Sequence, residues 1–369
     1  MARRDEGRDG LRAAGARLLD WYTANKRDLP WRRSSDPYAI WVAEIMLQQT
    51  RVSVVVERYR EFMKRFPTLV ALALADEQNV LAMWSGLGYY RRARMLHKAA
   101  QFVSANLGGN LPTKADDLRA LPGIGVYTAA AVASIAHGEP VAVVDGNVER
   151  VLCRFAGWDA TARRGSGSAL RRKVDELANK LLDPARAGDS NQAMMEIGAT
   201  LCTPRNPQCG VCPLMSDCKT RGEHKTRARA RMTSKIVAYG LSVRTSNEGK
   251  TRGQNAREVL LEQRPEHATV MPGMWELPAL RRSEVPASEL RMTVRHAIMQ
   301  VNYYVRVRTV FEDDVDAVTV AGGDRRWVPL REAAGMALTG LARKILVRAR
   351  LLPLPAADAI ARRRSQAVV

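Results

Sequence analysis

Four cysteines stand in one short stretch, "CTPRNPQCGVCPLMSDC", from Cys202 to Cys218, separated by six, two and five residues. Only one other cysteine, Cys153, occurs in 369 residues. A loop this rich in thiols has little apolar content to bury, so the chain around it must close on something else. The sequence starts "MARRDEGRDGLRAAG", without the apolar core of a secretory signal. No apolar run approaches the length of a membrane span. A soluble, cytoplasmic protein is expected (nucleoid-associated if bacterial), with no membrane partner, in a reducing compartment where structural disulfides are rare. Clustered cysteines in that setting point to a metal. Four-thiolate zinc is one solution, but zinc sites tend to bring their ligands as two close pairs. Here only Cys209 and Cys212 form such a pair, with Cys202 and Cys218 reaching in from either side. That spacing suits one [4Fe–4S] cluster, whose irons are bound at separate corners. Cys153, in "VERVLCRF", reads as a core residue.

Charge points to a second partner. Lys plus Arg number 58 against 38 for Asp plus Glu, a net +20. The excess is patchy: "YYRRARMLHK" carries four basic residues and no acid, and "KTRGEHKTRARARMTSK" carries seven against Glu223. Such surfaces attract polyanions, most commonly nucleic acid.

Periodicity divides the chain. From Leu11 to about Arg221, segments such as "ARLLDWYTAN", "YAIWVAEIMLQQT", "VVERYREFMKRF" and "VLAMWSGL" repeat apolar residues at helical spacing. "YTAAAVASIAHG" predicts a small-residue helix ending at Gly138. Beyond a basic linker, "SKIVAYGLSVR", "REVLLEQR" and "VNYYVRVRTVFED" predict strands, and "PLREAAGMALTGLARKILVRAR" a closing helix. The expected fold is mainly α, followed by an α+β domain.

Within the helical part, "LPGIGVYTA" places Gly123 and Gly125 in a tight turn before a helix. Glycine permits close backbone approach, and the amides that open the helix form a phosphate site, which suits a helix–hairpin–helix DNA clamp. An ordinary helical hairpin has the same local pattern. Asp145, in "VDGNVERV", is placed to cap a helix, an environment that favours a carboxylate. Glu44, in "IWVAEIML", has apolar neighbours that favour a neutral carboxyl. A carboxylic acid and a carboxylate held in contrasting environments suit cleavage of a glycosidic bond. Trp31 and Trp41 read as core.

Taken in order, "AEIMLQQT", "GLGYY", "LPGIGVYTA", "VDGNVERV", "NQAMMEIGA" and the cysteine loop resemble the adenine-specific mismatch DNA glycosylase (MutY) family. The resemblance is dense over about residues 11–225 and looser through "LLEQRP" and "MPGMWELP" to about 345. It implies the endonuclease III, helix–hairpin–helix fold over residues 1–225. A six-helix subdomain would occupy about 30–140, and the N-terminal helix would join about 141–225 in an iron–sulfur subdomain. A basic linker at 226–235, a Nudix-like domain at 236–345 and a basic tail at 346–369 would follow. The implied activity is base-excision repair: a monomer flips adenine from double-stranded DNA at A:8-oxoguanine or A:G mispairs and hydrolyses its N-glycosidic bond. Flipping costs a few kcal/mol. The resemblance gives Glu44 as general acid, Asp145 as the carboxylate facing the oxocarbenium-like sugar, Asn147 as its support and Tyr127 as an active-site tyrosine. Gln49 and Tyr89 would wedge into the duplex, and Arg32 and Gln192 would line the adenine pocket. Cys202, Cys209, Cys212 and Cys218 would hold the cluster.

Tyr127 stands where lyase relatives carry a Schiff-base lysine, and a phenol forms no imine, so a monofunctional hydrolase is implied. Thymine glycosylases acting on T:G mispairs are the nearest alternative, and a non-catalytic iron–sulfur DNA-binding protein is another. After "MPGMWELPAL" no glutamate-rich box follows, which argues against nucleotide hydrolysis. The family's H-x-F-S-H lesion loop is matched only by "HAIMQ", His296 to Gln300. Gln300 is expected to take over part of the lesion contact, with Met299 packing beside it.

Overall fold

The computed structural model describes residues 2–159, 168–224, 231–246, 256–298, 300–320 and 322–353. Parts of the expected linker (226–230) and tail (354–369), and Met299, lie outside the described residues. Helices occupy α1 (Ala2–Asn25), α2 (Pro37–Leu47), α3 (Val52–Arg65), α4 (Leu69–Ala73), α5 (Glu77–Met83), α6 (Arg91–Asn106), α7 (Ala115–Arg119), α8 (Val126–His137), α9 (Gly146–Ala156), α10 (Ala169–Leu181) and α11 (Ala187–Thr200). Strands follow as β1 (Thr233–Leu241), β2 (Val243–Ser246), β3 (Ala256–Gln263), β4 (Trp275–Glu276), β5 (Leu290–Ile298), β6 (Val301–Thr309) and β7 (Arg325–Pro329). Among the described residues three short helices follow: α12 (Val315–Val318), α13 (Leu330–Ala333) and α14 (Gly340–Arg348). No described helix is long and apolar enough to cross a membrane.

Two compact units emerge, Met1–Leu74 with Met95–Ala228, and Ala75–Arg94 with Arg229–Val369. In the first, α2 is the central helix. Asp36 caps it by accepting from the Tyr38 amide, Pro37 sits at its first turn, and every residue from Tyr38 to Met46 is buried. A helix apolar on all sides can only be a core helix. It packs on α8, whose small side chains from Ala129 to Ala133 allow close approach. A second core joins α1, α9, α10 and α11 through Leu18, Tyr22, Val148, Leu152, Val174 and Ile197, and Cys202, Cys212 and Cys218 pack against it. Cys153 is fully buried, as its neighbours in sequence suggest.

The second unit has a three-stranded sheet of order β1-β6-β5, with β1 parallel and β5 antiparallel to β6. In the other sheet β3 is flanked by antiparallel β2 and β7 and also pairs with β4. Leu241, Val259, Leu261, Val294, Val305, Val307 and Ile345 form its core. Two expectations need correction. "PLREAAGMALTGLARKILVRAR" is two helices rather than one, because Thr339 starts a fresh helix by capping the Ala342 amide. "HAIMQ" is not a free loop: His296 to Ile298 end β5, and Gln300 lies in the turn to β6.

Candidate active site and cysteine loop

A cleft of about 710 Å³ opens in the helical unit, lined in part by Arg32, Glu44, Gln49, Tyr127, Asp145, Asn147 and Gln192. Seven of the sequence-derived residues therefore meet in one place. Glu44 comes from the buried body of α2 and is 5% exposed. Tyr127, from the first turn of α8, donates its hydroxyl to Glu44 Oε2 (2.6 Å) and also reaches Met195 Sδ (3.4 Å). Burial raises the Glu44 carboxyl to about 7; the Tyr127 hydrogen bond and Arg32 oppose this rise, and the charge of Asp145 adds to it.

Asp145 caps α9. Its Oδ1 accepts the amides of Asn147 (2.9 Å) and Val148 (2.7 Å), and its Oδ2 accepts Asn147 Nδ2 (3.0 Å). Three donors on one carboxylate fix its orientation and satisfy its charge. Asn147 is held in turn by Arg150, whose Nη1 donates to Asn147 Oδ1 (3.0 Å) and whose other nitrogens reach the carbonyls of Cys202 (2.9 Å) and Gly198 (2.7 Å). Gly198 permits this approach of α11 to α9, since a Cβ there would lie 2.9 Å from the Asn147 Cβ.

Glu196 was not among the residues read from the sequence. Its side chain is 1% exposed and sits between Arg27 (2.7 Å) and Arg32 (2.7 Å). Burial alone would raise its carboxyl, but the two arginines win and hold it at about 2. Arg32 also lies over the Tyr22 ring (5.3 Å), and Tyr22 donates its hydroxyl to Gln192 Oε1 (3.1 Å). Trp31 is buried, edge-on to Tyr59, yet it also lines the cleft, so it is more than core. The only signal for Glu196 was an acid inside the small-residue run "NQAMMEIGA".

Gln49 takes a positive φ of 55°, which turns the chain out of helical geometry just after α2. The expected helix therefore stops before "QQT". Gly123 needs its φ of 74°, and a Cβ there would press to 2.5 Å on the Met95 Cβ. Gly125 starts α8 without a side-chain cap, and Val126 beside it is exposed. Tyr89 and Gln300 belong to the other unit. Both are exposed, and the Gln300 carbonyl accepts the Thr233 amide (2.9 Å).

All four cysteines of the loop line one pocket with Val151, Arg154, Phe155 and Leu214. The Cys212 thiol is pushed up to about 11, first by burial, with a hydrogen bond to the Leu214 backbone opposing and the facing thiols of Cys202, Cys218 and Cys209 adding. Thiolates that repel one another in one half-buried pocket need a polycationic core in order to ionise together. This donor set fits a polynuclear cluster. Arg154 donates to Cys202 Sγ (3.4 Å) and to the carbonyls of Thr203 (2.7 Å) and Pro204 (3.0 Å), which orders the loop around the first ligand.

Comparison with known proteins bears on this geometry. Residues 42–180 match the family model described as the HhH-GPD superfamily of base excision DNA repair proteins. Residues 202–218 match that of the iron-sulfur binding domain of endonuclease III. The adenine DNA glycosylase of Mycolicibacterium smegmatis is 44% identical over 205 residues, 55% of this chain and 68% of that protein. The chain belongs to the adenine DNA glycosylase family. The human adenine DNA glycosylase is 48% identical over 213 residues, 55% of this chain and 38% of its own length. The Arabidopsis thaliana protein is 38% identical over 324 residues, 78% of this chain and 50% of its own length. The chain thus spans half or less of those two longer relatives. A solved thermostable thymine-DNA glycosylase aligns with a TM-score of 0.53 and 28% identity, covering 59% of this chain and 98% of that one. As in its family, the helical unit has the helix–hairpin–helix glycosylase fold, and the cysteine loop carries a [4Fe–4S] cluster.

Proposed function

We propose that the protein is a monofunctional adenine DNA glycosylase that excises adenine mispaired with 8-oxoguanine or guanine in double-stranded DNA. One observation carries this reading. Glu44, buried and raised to about 7, shares a cleft with Asp145, a carboxylate that already accepts three hydrogen bonds. A neutral acid facing a fixed carboxylate is the arrangement that N-glycosidic hydrolysis needs. Glu44 protonates N7 of the flipped adenine, and the C1′–N9 bond breaks with its electron pair leaving on the base. Asp145 stabilises the positive charge that develops on the sugar. Water then adds to C1′ and gives its proton to the Glu44 carboxylate, releasing adenine and an abasic site. Tyr127 orients Glu44 and offers no amine, so no imine forms and the backbone stays intact.

Gln192, accepting from Tyr22, keeps its amide N–H groups for the base edge, and Arg32, fixed by Glu196, supplies a second donor. Gly123, Gly125 and the uncapped start of α8 clamp phosphates, while Gln49 and Tyr89 enter the duplex. The [4Fe–4S] cluster, held by Cys202, Cys209, Cys212 and Cys218, supplies structural order to a basic DNA-binding loop. The C-terminal unit is read as Nudix-like, and Gln300 as its contact to the base opposite adenine.

Single-turnover assays on duplexes carrying A:8-oxoguanine, A:G, T:G or thymine glycol, with and without alkali, test this. Adenine release from the first two, with strand scission only after alkali, is expected. Excision from T:G alone would favour the thymine glycosylase alternative, and no excision from any substrate the non-catalytic one.

A further inference from the structure

Tyr89 sits in a turn that ordinary backbone preferences disfavour. Gly86, Gly88 and Tyr89 all have positive φ, 94°, 69° and 48°. Glycine adopts that region at little cost, whereas a tyrosine persists there only when its surroundings over-determine it. The nearest supports are local. Trp84 Nε1 donates to the Gly88 carbonyl (3.2 Å), and Arg92 Nη2 donates to the carbonyls of Leu87 and Gly88 (3.0 Å each). The Arg92 guanidinium lies 5.5 Å from the Trp84 ring and 5.8 Å from the Tyr89 ring.

The outer supports come from the segment "MPGMW" and from Leu338, which forms a bridge to Trp275 of that segment. Ahead of the turn, Gln78 donates to the Gly273 carbonyl (3.2 Å). Behind it, Arg94 donates to the Pro272 carbonyl (2.7 Å) and pairs with Glu77 (3.1 Å), and the buried Tyr90 directs its hydroxyl at the Leu338 carbonyl (3.4 Å). The receiving turn is itself shaped for this. Met271 and Gly273 have φ of 49° and 61°, and Gln263 donates to the Gly273 carbonyl (2.9 Å). A Cβ on Gly273 would collide with Glu266 and come within 3.2 Å of the Arg94 guanidinium.

We infer that the "MPGMW" turn is a brace for the Tyr89 turn, and that Gln78, Tyr90 and Arg94 are positioning residues that keep Tyr89 ready to enter the duplex. The inference rests on the DNA-wedge reading of Tyr89. It gives the C-terminal unit a share in mispair binding that is separate from any contact with the opposite base. A wedge held in its inserting conformation avoids part of the ordering cost of binding.

A double-mutant cycle in the full chain tests it. Arg94→Ala and, separately, Gly273→Ala are combined with Tyr89→Ala. Affinity is measured for a duplex in which a non-cleavable adenosine analogue faces 8-oxoguanine, relative to a fully matched duplex. This ratio cancels a uniform loss of folded protein. With Tyr89 present, each brace variant lowers the ratio about tenfold; with Tyr89→Ala already in place, it lowers it less than about twofold, because coupled residues are non-additive. Additive losses from both brace variants, with Tyr89→Ala itself harmful, overturn the brace and leave the wedge standing. No loss from Tyr89→Ala alone overturns the wedge reading and the brace with it. Should Arg94→Ala fail to fold, Gly273→Ala and Gln78→Ala carry the same comparison.

Discussion

Glu44 concentrates two opposing demands in one side chain. Its carboxyl stands at about 7 against a usual 4.5 because burial outweighs the Tyr127 hydrogen bond. Glu44→Gln keeps the shape and can still accept from Tyr127, but it delivers no proton. Single-turnover adenine release is expected to fall by at least about 10²–10⁴-fold, the usual weight of acid–base catalysis, with mispair binding largely kept. In the wild type, excision should decline as pH rises through about 7, where Glu44 loses its proton. The sign for stability follows from the same shift. A carboxyl raised on folding contributes fully below its unfolded value, loses that contribution as pH climbs to the folded value, and bears the whole cost above it. From 4.5 to about 7 that cost is on the order of 3 kcal/mol. Glu44→Gln should therefore melt higher than wild type above pH 7, with the gap closing toward pH 4.5. Thermal denaturation across that range checks it, and equal melting temperatures at pH 8 would remove the burial argument. The burial of Glu44 and the capping position of Asp145 were legible because apolar neighbours and a cap are local signals. Glu196 was not, because Arg27 and Arg32 meet it from about 165 residues away in sequence, and only folding brings them together.

At the scale of elements, helical spacing exposed α1, α2, α3 and α8, and the cysteine gaps exposed the loop. What was missed differs in cause. Strand β5 alternates Leu290, Met292 and Val294 with the exposed Arg291, Thr293 and Arg295, a period-two pattern that was present in the sequence and went unread. The break between α13 and α14 depends on one cap at Thr339. For the cysteine loop, Cys212→Ser should leave protein with fewer than the expected four irons per chain, lower soluble yield and weaker DNA binding. Metal analysis after anaerobic purification tests this, and stoichiometric zinc without iron would favour the four-thiolate zinc site. For the β5–β6 turn, Gln300→Ala should reduce the preference for A:8-oxoguanine over A:G about tenfold, if its exposed amide bonds the opposite base; a buried hydrogen bond lost with its partner unpaired is worth about 1–3 kcal/mol. An unchanged ratio at limiting enzyme would make Gln300 a solvated turn residue.

The molecule as a whole carries a net charge of +20, and several of its arginines are already committed internally. Arg27 and Arg32 neutralise Glu196, Arg150 and Arg154 order α9 and the cysteine loop, and Arg244, Arg264 and Arg325 pair with acids in the second unit. Arginines paired with acids already cancel in the net +20, so only those turned onto neutral carbonyls, such as Arg150 and Arg154, subtract from the charge available to a polyanion. That charge includes exposed residues such as Arg51, Arg91 and Lys98, with further basic residues in "HKTRARAR". With roughly six phosphates neutralised, the logarithm of affinity should fall against the logarithm of salt concentration with a slope of about −5. The slope should be similar for matched and mispaired duplexes, because phosphate contacts position the protein without reading sequence. Replacing Arg51 and Arg91 together should bring it up by about two units and weaken both duplexes alike. A slope near zero would remove the basic surface from the recognition of DNA. A loss confined to the mispaired duplex would move those two arginines from the phosphates to the base being read.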